Sequence, residues 1–110
     1  MTKTVAIVTG AAGDIGRAIA ERLAEDHDTI LMVDIDFAAA ERAAHALGAA
    51  ERFIACGCDV TNEASVAEMA KRAETLGAVR TLVNNAGAAR AVSLHDTTAE
   101  IWRMDNALNL

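Results

Sequence analysis

Apolar positions along the chain fall into blocks that alternate between two spacings, and the alternation predicts strands separated by helices. Val5 to Thr9 is apolar and β-branched and reads as a buried strand. Gly10 to Gly13 is a turn. From Ile15 to about Asp26, the residues Ile15, Ala18, Ile19 and Leu23 recur at helical spacing, which predicts an amphipathic helix. Thr29 to Asp34 is a second buried strand, and Phe37 to Leu47 an Ala-rich helix closed by Gly48. Arg52 to Cys58 is a third strand. A helix from about Ala64 to Leu76 follows, with Val66, Met69, Ala70 and Ala73 inward and Gly77 as its stop. Thr81 to Asn84 continues the pattern as a fourth strand, and a last helix starts near Thr97 or Thr98, either of which can cap it. Strands joined through helices of this length require crossover connections, hence a parallel sheet with helices on both faces.

Composition narrows the picture. At 53% hydrophobic, a packed core is available, while the formal charge of −6 and the lack of a basic stripe argue against nucleic acid or an anionic membrane surface. An acidic protein still binds a phosphorylated ligand where backbone N–H groups and a helix terminus do the work. No apolar run reaches the length of a membrane span and no signal sequence is evident, so the expected location is cytoplasmic. Cys56 and Cys58 share one face of the third strand and read as reduced, mostly buried thiols, because no further ligands with metal spacing accompany them. His27, His45 and His95 share no spacing that suggests a triad or a metal site, and each is expected to be solvated; Ser93 reads as a surface loop residue.

Chemistry concentrates at strand ends. Thr9-Gly10-Ala11-Ala12-Gly13-Asp14-Ile15-Gly16 lies between the first strand and the first helix. Glycines there permit a tight turn and let the backbone approach a pyrophosphate, which rests on the helix N-terminus. Asp34 ends the second strand, where a carboxylate accepts hydrogen bonds from the adenosine ribose hydroxyls and repels a 2′-phosphate. With apolar Ile35 beside it, and no arginine at Gly13, it predicts NAD rather than NADP. Asp36 is the better placed residue to cap the following helix. The fold class that results is α/β: a Rossmann-like, doubly wound parallel sheet of about four strands.

These residues resemble the short-chain dehydrogenase/reductase family. Its glycine motif is matched at Thr9, Gly10 and Gly16, with Gly13 and Ile15 completing the candidate cofactor contacts. Cys58-Asp59-Val60 is similar to the family's Asp-Val pair, which implies that Asp59 meets the adenine amino group and Val60 lines the adenine pocket. Asn84-Asn85-Ala86-Gly87 matches the motif that supports the sheet and runs its backbone past the cofactor riboses. Glu100-x-Trp102, followed by Asn109-Leu110, is similar to the family's fourth long helix, whose asparagine organises a proton relay; that role falls to Asn109. The resemblance implies hydride transfer between NAD(H) and a small alcohol or carbonyl substrate in a homo-oligomer.

Two departures from the pattern involve three positions. The family's middle glycine is Asp14 here, expected to cap the first helix and complement its dipole. Asp105 and Asn106 stand where the family has apolar residues. The family's catalytic tyrosine and lysine have no counterpart, since the chain holds no tyrosine. Residues 1–110 are therefore expected to be the N-terminal portion of one Rossmann domain, cut within the fourth long helix and inactive alone. A non-catalytic nucleotide-binding module, a truncation product without independent function, and an enzyme using bound NAD for dehydration or epimerisation are the other readings.

Overall fold

The structure, a computed structural model, describes residues 2–85. Four strands and three helices alternate: β1 Thr4–Thr9, α1 Asp14–Leu23, β2 Thr29–Asp34, α2 Phe37–Leu47, β3 Phe53–Gly57, α3 Glu63–Leu76 and β4 Ala78–Val83. All three strand pairings are parallel, in the order β3-β2-β1-β4. The expected β2 and α2 are found at their expected bounds. The helix expected to reach Asp26 ends at Leu23, because Glu25 N–H and Asp26 N–H turn back to the Arg22 and Leu23 carbonyls and tighten the chain into a turn. β4 starts at Ala78 rather than Thr81. Its first N–H already donates to the Lys3 carbonyl at 2.7 Å, and the exposed Arg80 that masked the strand is tolerated because β4 is an edge strand among the described residues. The last expected helix lies outside the described residues.

The central strands β1 and β2 are apolar on both sides, and their alternate residues feed two separate cores. Val5, Ile7, Leu31 and Val33 pack with Val66, Met69 and Ala73 of α3. Ala6, Val8, Ile30 and Met32 pack with Ala20 of α1, Ala43 and Ala44 of α2, and Phe53. Strand order and handedness explain the division. The chain steps outward from β1 to β2 to β3, then jumps back across the sheet to β4, so right-handed crossovers put α1 and α2 on one face and α3 on the other. The reversal lies between β1 and β4, where an open α/β sheet parts its loops into a crevice at the strands' C-terminal ends.

The inward stripe of α1 differs from the expected one. Gly16 and Ala20 are its buried residues; Ile19 and Leu23 flank the core, and Ile15 is 70% exposed. The helix approaches too closely for larger side chains. A Cβ on Gly16 would stand 2.9 Å from both Ala11 Cα and the Gly10 carbonyl carbon, and closer still to the Gly10 oxygen.

Candidate dinucleotide-binding site

All four strands deliver candidate residues to the same edge of the sheet. After β1, Gly10 takes φ 65°, a left-handed conformation that suits glycine, and turns the chain across the edge. Each following residue is tied down. Ala11 N–H donates to the Val33 carbonyl at 3.0 Å, Ala12 N–H to Asp34 Oδ2 at 3.1 Å, and Gly13 N–H to the Gly10 carbonyl at 3.3 Å. Gly13 is exposed, and a Cβ there would meet only the Gly10 oxygen, at 3.7 Å. Packing therefore does not require glycine at 13, whereas it does at 16.

The N-terminus of α1 is built differently from those of α2 and α3. Asp36 Oδ1 accepts from Ala39 N–H at 3.0 Å and Asn62 Oδ1 from Ser65 N–H at 3.0 Å, each closing the first turn of its helix. The N-cap of α1 is Gly13, and no side-chain cap bond closes this end. Asp14 is consequently not the expected cap. It is the first residue of the helix, and its carboxylate points into solvent, 3.7 Å from Arg17. A negative charge in the first turn still complements the helix dipole. First-turn N–H groups have no partner inside a helix, so at α1 they are left for an acceptor from outside. Two apolar side chains stand out around this edge, Ile15 at 70% and Ile35 at 71% exposure.

Asp34 is half-buried and held on both oxygens. Oδ2 takes the Ala12 N–H and Oδ1 the Asp36 N–H at 3.0 Å, while its backbone carbonyl accepts from Cys58 N–H at 3.0 Å. At the end of β3, Asp59 Oδ1 accepts from Thr61 N–H at 2.9 Å and from the Thr61 hydroxyl at 2.6 Å, and Asp59 N–H donates to Ser65 Oγ at 3.0 Å. Val60 is partly buried against the core beneath α3. After β4, Asn85 N–H donates to Thr9 Oγ1 at 3.0 Å and Asn85 Nδ2 to the Gly10 carbonyl at 3.3 Å, and the Thr9 hydroxyl lies 3.1 Å from Asn84 Oδ1. The asparagines thus brace the glycine loop from the β4 side as Asp34 does from the β2 side. Ala86, Gly87 and Asn109 lie outside the described residues.

The sequence reading gave two contributors no role of their own. Thr9 heads the glycine motif and is 1% exposed, but only the structure shows its hydroxyl tying the end of β1 to Asn84 and Asn85. Ala12 acts only through its backbone N–H and left no signal. His27 also departs from its expected solvation. Its ring bridges elements, with Nδ1 2.9 Å from the Leu23 carbonyl and Nε2 2.9 Å from Thr81 Oγ1, because α1 ends beside β4. His45 is exposed as expected; His95 and Ser93 lie outside the described residues. Cys56 and Cys58 are free thiols, and burial pushes the pKa of both upward, which keeps them protonated. Among the described residues no group of three or more His, Cys, Asp or Glu could hold a metal, and no helix is long and apolar enough to cross a membrane.

A parallel sheet with this strand order, a glycine turn running into an uncapped helix, and an acid closing the neighbouring strand define a Rossmann-like unit of the dinucleotide-binding type. The chain belongs to the short-chain dehydrogenase family, whose model, described as short chain dehydrogenase, matches residues 4–110. Over 107 residues it is 36% identical to the NADP-dependent (R)-specific alcohol dehydrogenase of Lentilactobacillus kefiri, covering 96% of this chain and 42% of that protein. The chain thus spans about two fifths of that relative's length. Among solved structures, 3-hydroxyacyl-CoA dehydrogenase type-2 from Mycobacterium avium superimposes with a TM-score of 0.77 at 25% identity, covering 96% of this chain and 48% of the other. The 3-ketoacyl-(acyl-carrier-protein) reductase from Brucella melitensis, complexed with NADH, gives a TM-score of 0.64 at 34% identity, covering 72% and 32%.

Proposed function

We propose that this chain is the NAD-binding, N-terminal portion of a cytoplasmic, homo-oligomeric short-chain dehydrogenase, whose parent polypeptide moves hydride between NAD(H) and a small alcohol or carbonyl compound. The pyrophosphate rests on the first turn of α1, against Gly10, Gly13, Ile15 and Gly16. The adenosine ribose meets Asp34, and Ile35, Asp59 and Val60 flank the adenine. Asn85, Ala86 and Gly87 run past the riboses, and Asn109 organises the proton relay. When bound, the nicotinamide supplies the hydride acceptor or donor. This chain's residues bind it, orient it and hold its phosphates.

The observation that carries the preference for NAD is the Asp34 carboxylate, fixed by the Ala12 and Asp36 N–H groups where a 2′-phosphate would otherwise fit. The relatives' names fall on both sides, one NADP-dependent and one crystallised with NADH, so the preference rests on this chain's own acid. Turnover by the 110 residues alone is not expected, because proton transfer to the substrate oxygen needs a tuned acid–base group and the chain has no tyrosine. Calorimetric titration with both cofactors is the test. NAD should bind more tightly than NADP, and Asp34→Ala should weaken NAD about 10- to 100-fold, the worth of a charge-assisted hydrogen bond. NADP binding equal to or tighter than NAD would overturn the preference, and NADH oxidation by the chain with a panel of carbonyl compounds would overturn its inactivity.

A further inference from the structure

We propose that Asp34 positions the glycine loop in addition to meeting the ribose, so that one carboxylate sets both the adenosine end and the pyrophosphate end of the site. For its ligand the inference rests on the NAD reading above; the positioning itself is a property of the protein without ligand.

The loop between Gly10 and Gly13 is anchored by backbone bonds at Ala11 and Gly13 and by Asn85 at the Gly10 carbonyl. Between these points, Ala12 N–H is taken by a side chain, Asp34 Oδ2 at 3.1 Å. The carboxylate in turn cannot swing freely, because Oδ1 accepts from Asp36 N–H at 3.0 Å and the Asp34 carbonyl is tied to Cys58 N–H. An ionised carboxylate has about four acceptor directions, so two remain for the ribose hydroxyls after both N–H groups are served. The same rigid acid therefore faces the ribose and fixes the residue before Gly13, the N-cap of the helix on which the phosphates would lie. Removing it deletes a ribose contact and also frees Ala12, loosening the loop that must approach the pyrophosphate.

A chemical double-mutant cycle separates the two roles. ADP and 2′,3′-dideoxy-ADP are titrated calorimetrically into the full chain, its Asp34→Ala variant and its Asp34→Leu variant. In parallel, amide exchange is followed residue by residue by NMR without ligand. Positioning predicts that Ala12 N–H exchanges about tenfold faster in Asp34→Ala while Ala11 N–H is unchanged. It further predicts that dideoxy-ADP, which lacks the hydroxyls, still loses about 3- to 10-fold in affinity. Should Asp34→Ala fail to fold, Asp34→Leu gives the same comparison, because its apolar side chain fills the space and offers neither N–H group an acceptor. Unchanged Ala12 exchange, together with dideoxy-ADP binding that is equal or tighter in the variant, overturns the proposal and leaves Asp34 a ribose contact alone. If the unmutated chain binds neither nucleotide, the NAD reading fails, and the exchange measurement still decides the positioning role.

Discussion

Replacing Gly16 with alanine adds one methyl group where α1 meets the glycine loop. On the present backbone that carbon would stand 2.9 Å from Ala11 Cα and from the Gly10 carbonyl carbon, with the Gly10 oxygen nearer still. All three are backbone atoms of a turn held by Val33, Asp34 and Asn85, so no flexible side chain can yield. Either α1 lifts from the sheet, opening space around Ala20 in the core it shares with α2, or the loop shifts and strains its bonds. Overpacking of this kind costs about 1–3 kcal/mol, and alanine's better helix propensity returns about 0.5–1. The net expectation is a loss of about 1–2 kcal/mol, and a domain of this size loses about 4–8 °C in Tm per kcal/mol. Gly13→Ala is the matched control. Its new methyl makes only an ordinary 3.7 Å contact at φ −79°, so its stability should stay within about 0.5 kcal/mol of the parent. Urea unfolding followed by circular dichroism measures both. Equal midpoints for the parent and Gly16→Ala would mean that the close approach of helix and loop is not a constraint.

Two further perturbations test a support of the site and a bond at the opposite end of the sheet. Thr9→Val keeps the shape of a buried residue but strips the acceptor from Asn85 N–H and the donor to Asn84 Oδ1, so urea unfolding should report a loss of about 1–3 kcal/mol; a neutral outcome would show that water replaces the hydroxyl. Asp28 accepts from Thr4 N–H at 2.8 Å, and that bond holds its carboxyl below the usual carboxylate range. A folded-state pKa below the unfolded one contributes stability that is present at neutral pH and is lost as pH falls through the lowered value. Asp28→Asn should therefore flatten the acid limb of the stability–pH curve, and an unchanged limb would contradict the assignment.

The order of elements, the bounds of β2 and α2 and the caps at Asp36 and Gly48 were all legible in the sequence, because each depends on residues a few positions apart. Continuous apolar runs announced β1 and β2 as strands buried on both faces. The same runs concealed which residues meet α3 and which meet α1 and α2, since every position is apolar and only the crossover geometry assigns a face. Periodicity likewise named Ile15 as part of the inward stripe of α1. Tertiary structure chose Gly16 and Ala20, because the glycine loop leaves room only for the smallest side chains. Glycine spacing and the acid at the end of β2 pointed to the site because they are local signatures of a turn and a strand terminus. That Asp34 grips Ala12, that Asn85 grips Gly10 and that His27 bridges Leu23 and Thr81 could not be read from sequence. Those hydrogen bonds join residues far apart in the chain, and they exist only once the parallel sheet has brought the ends of β1, β2 and β4 side by side.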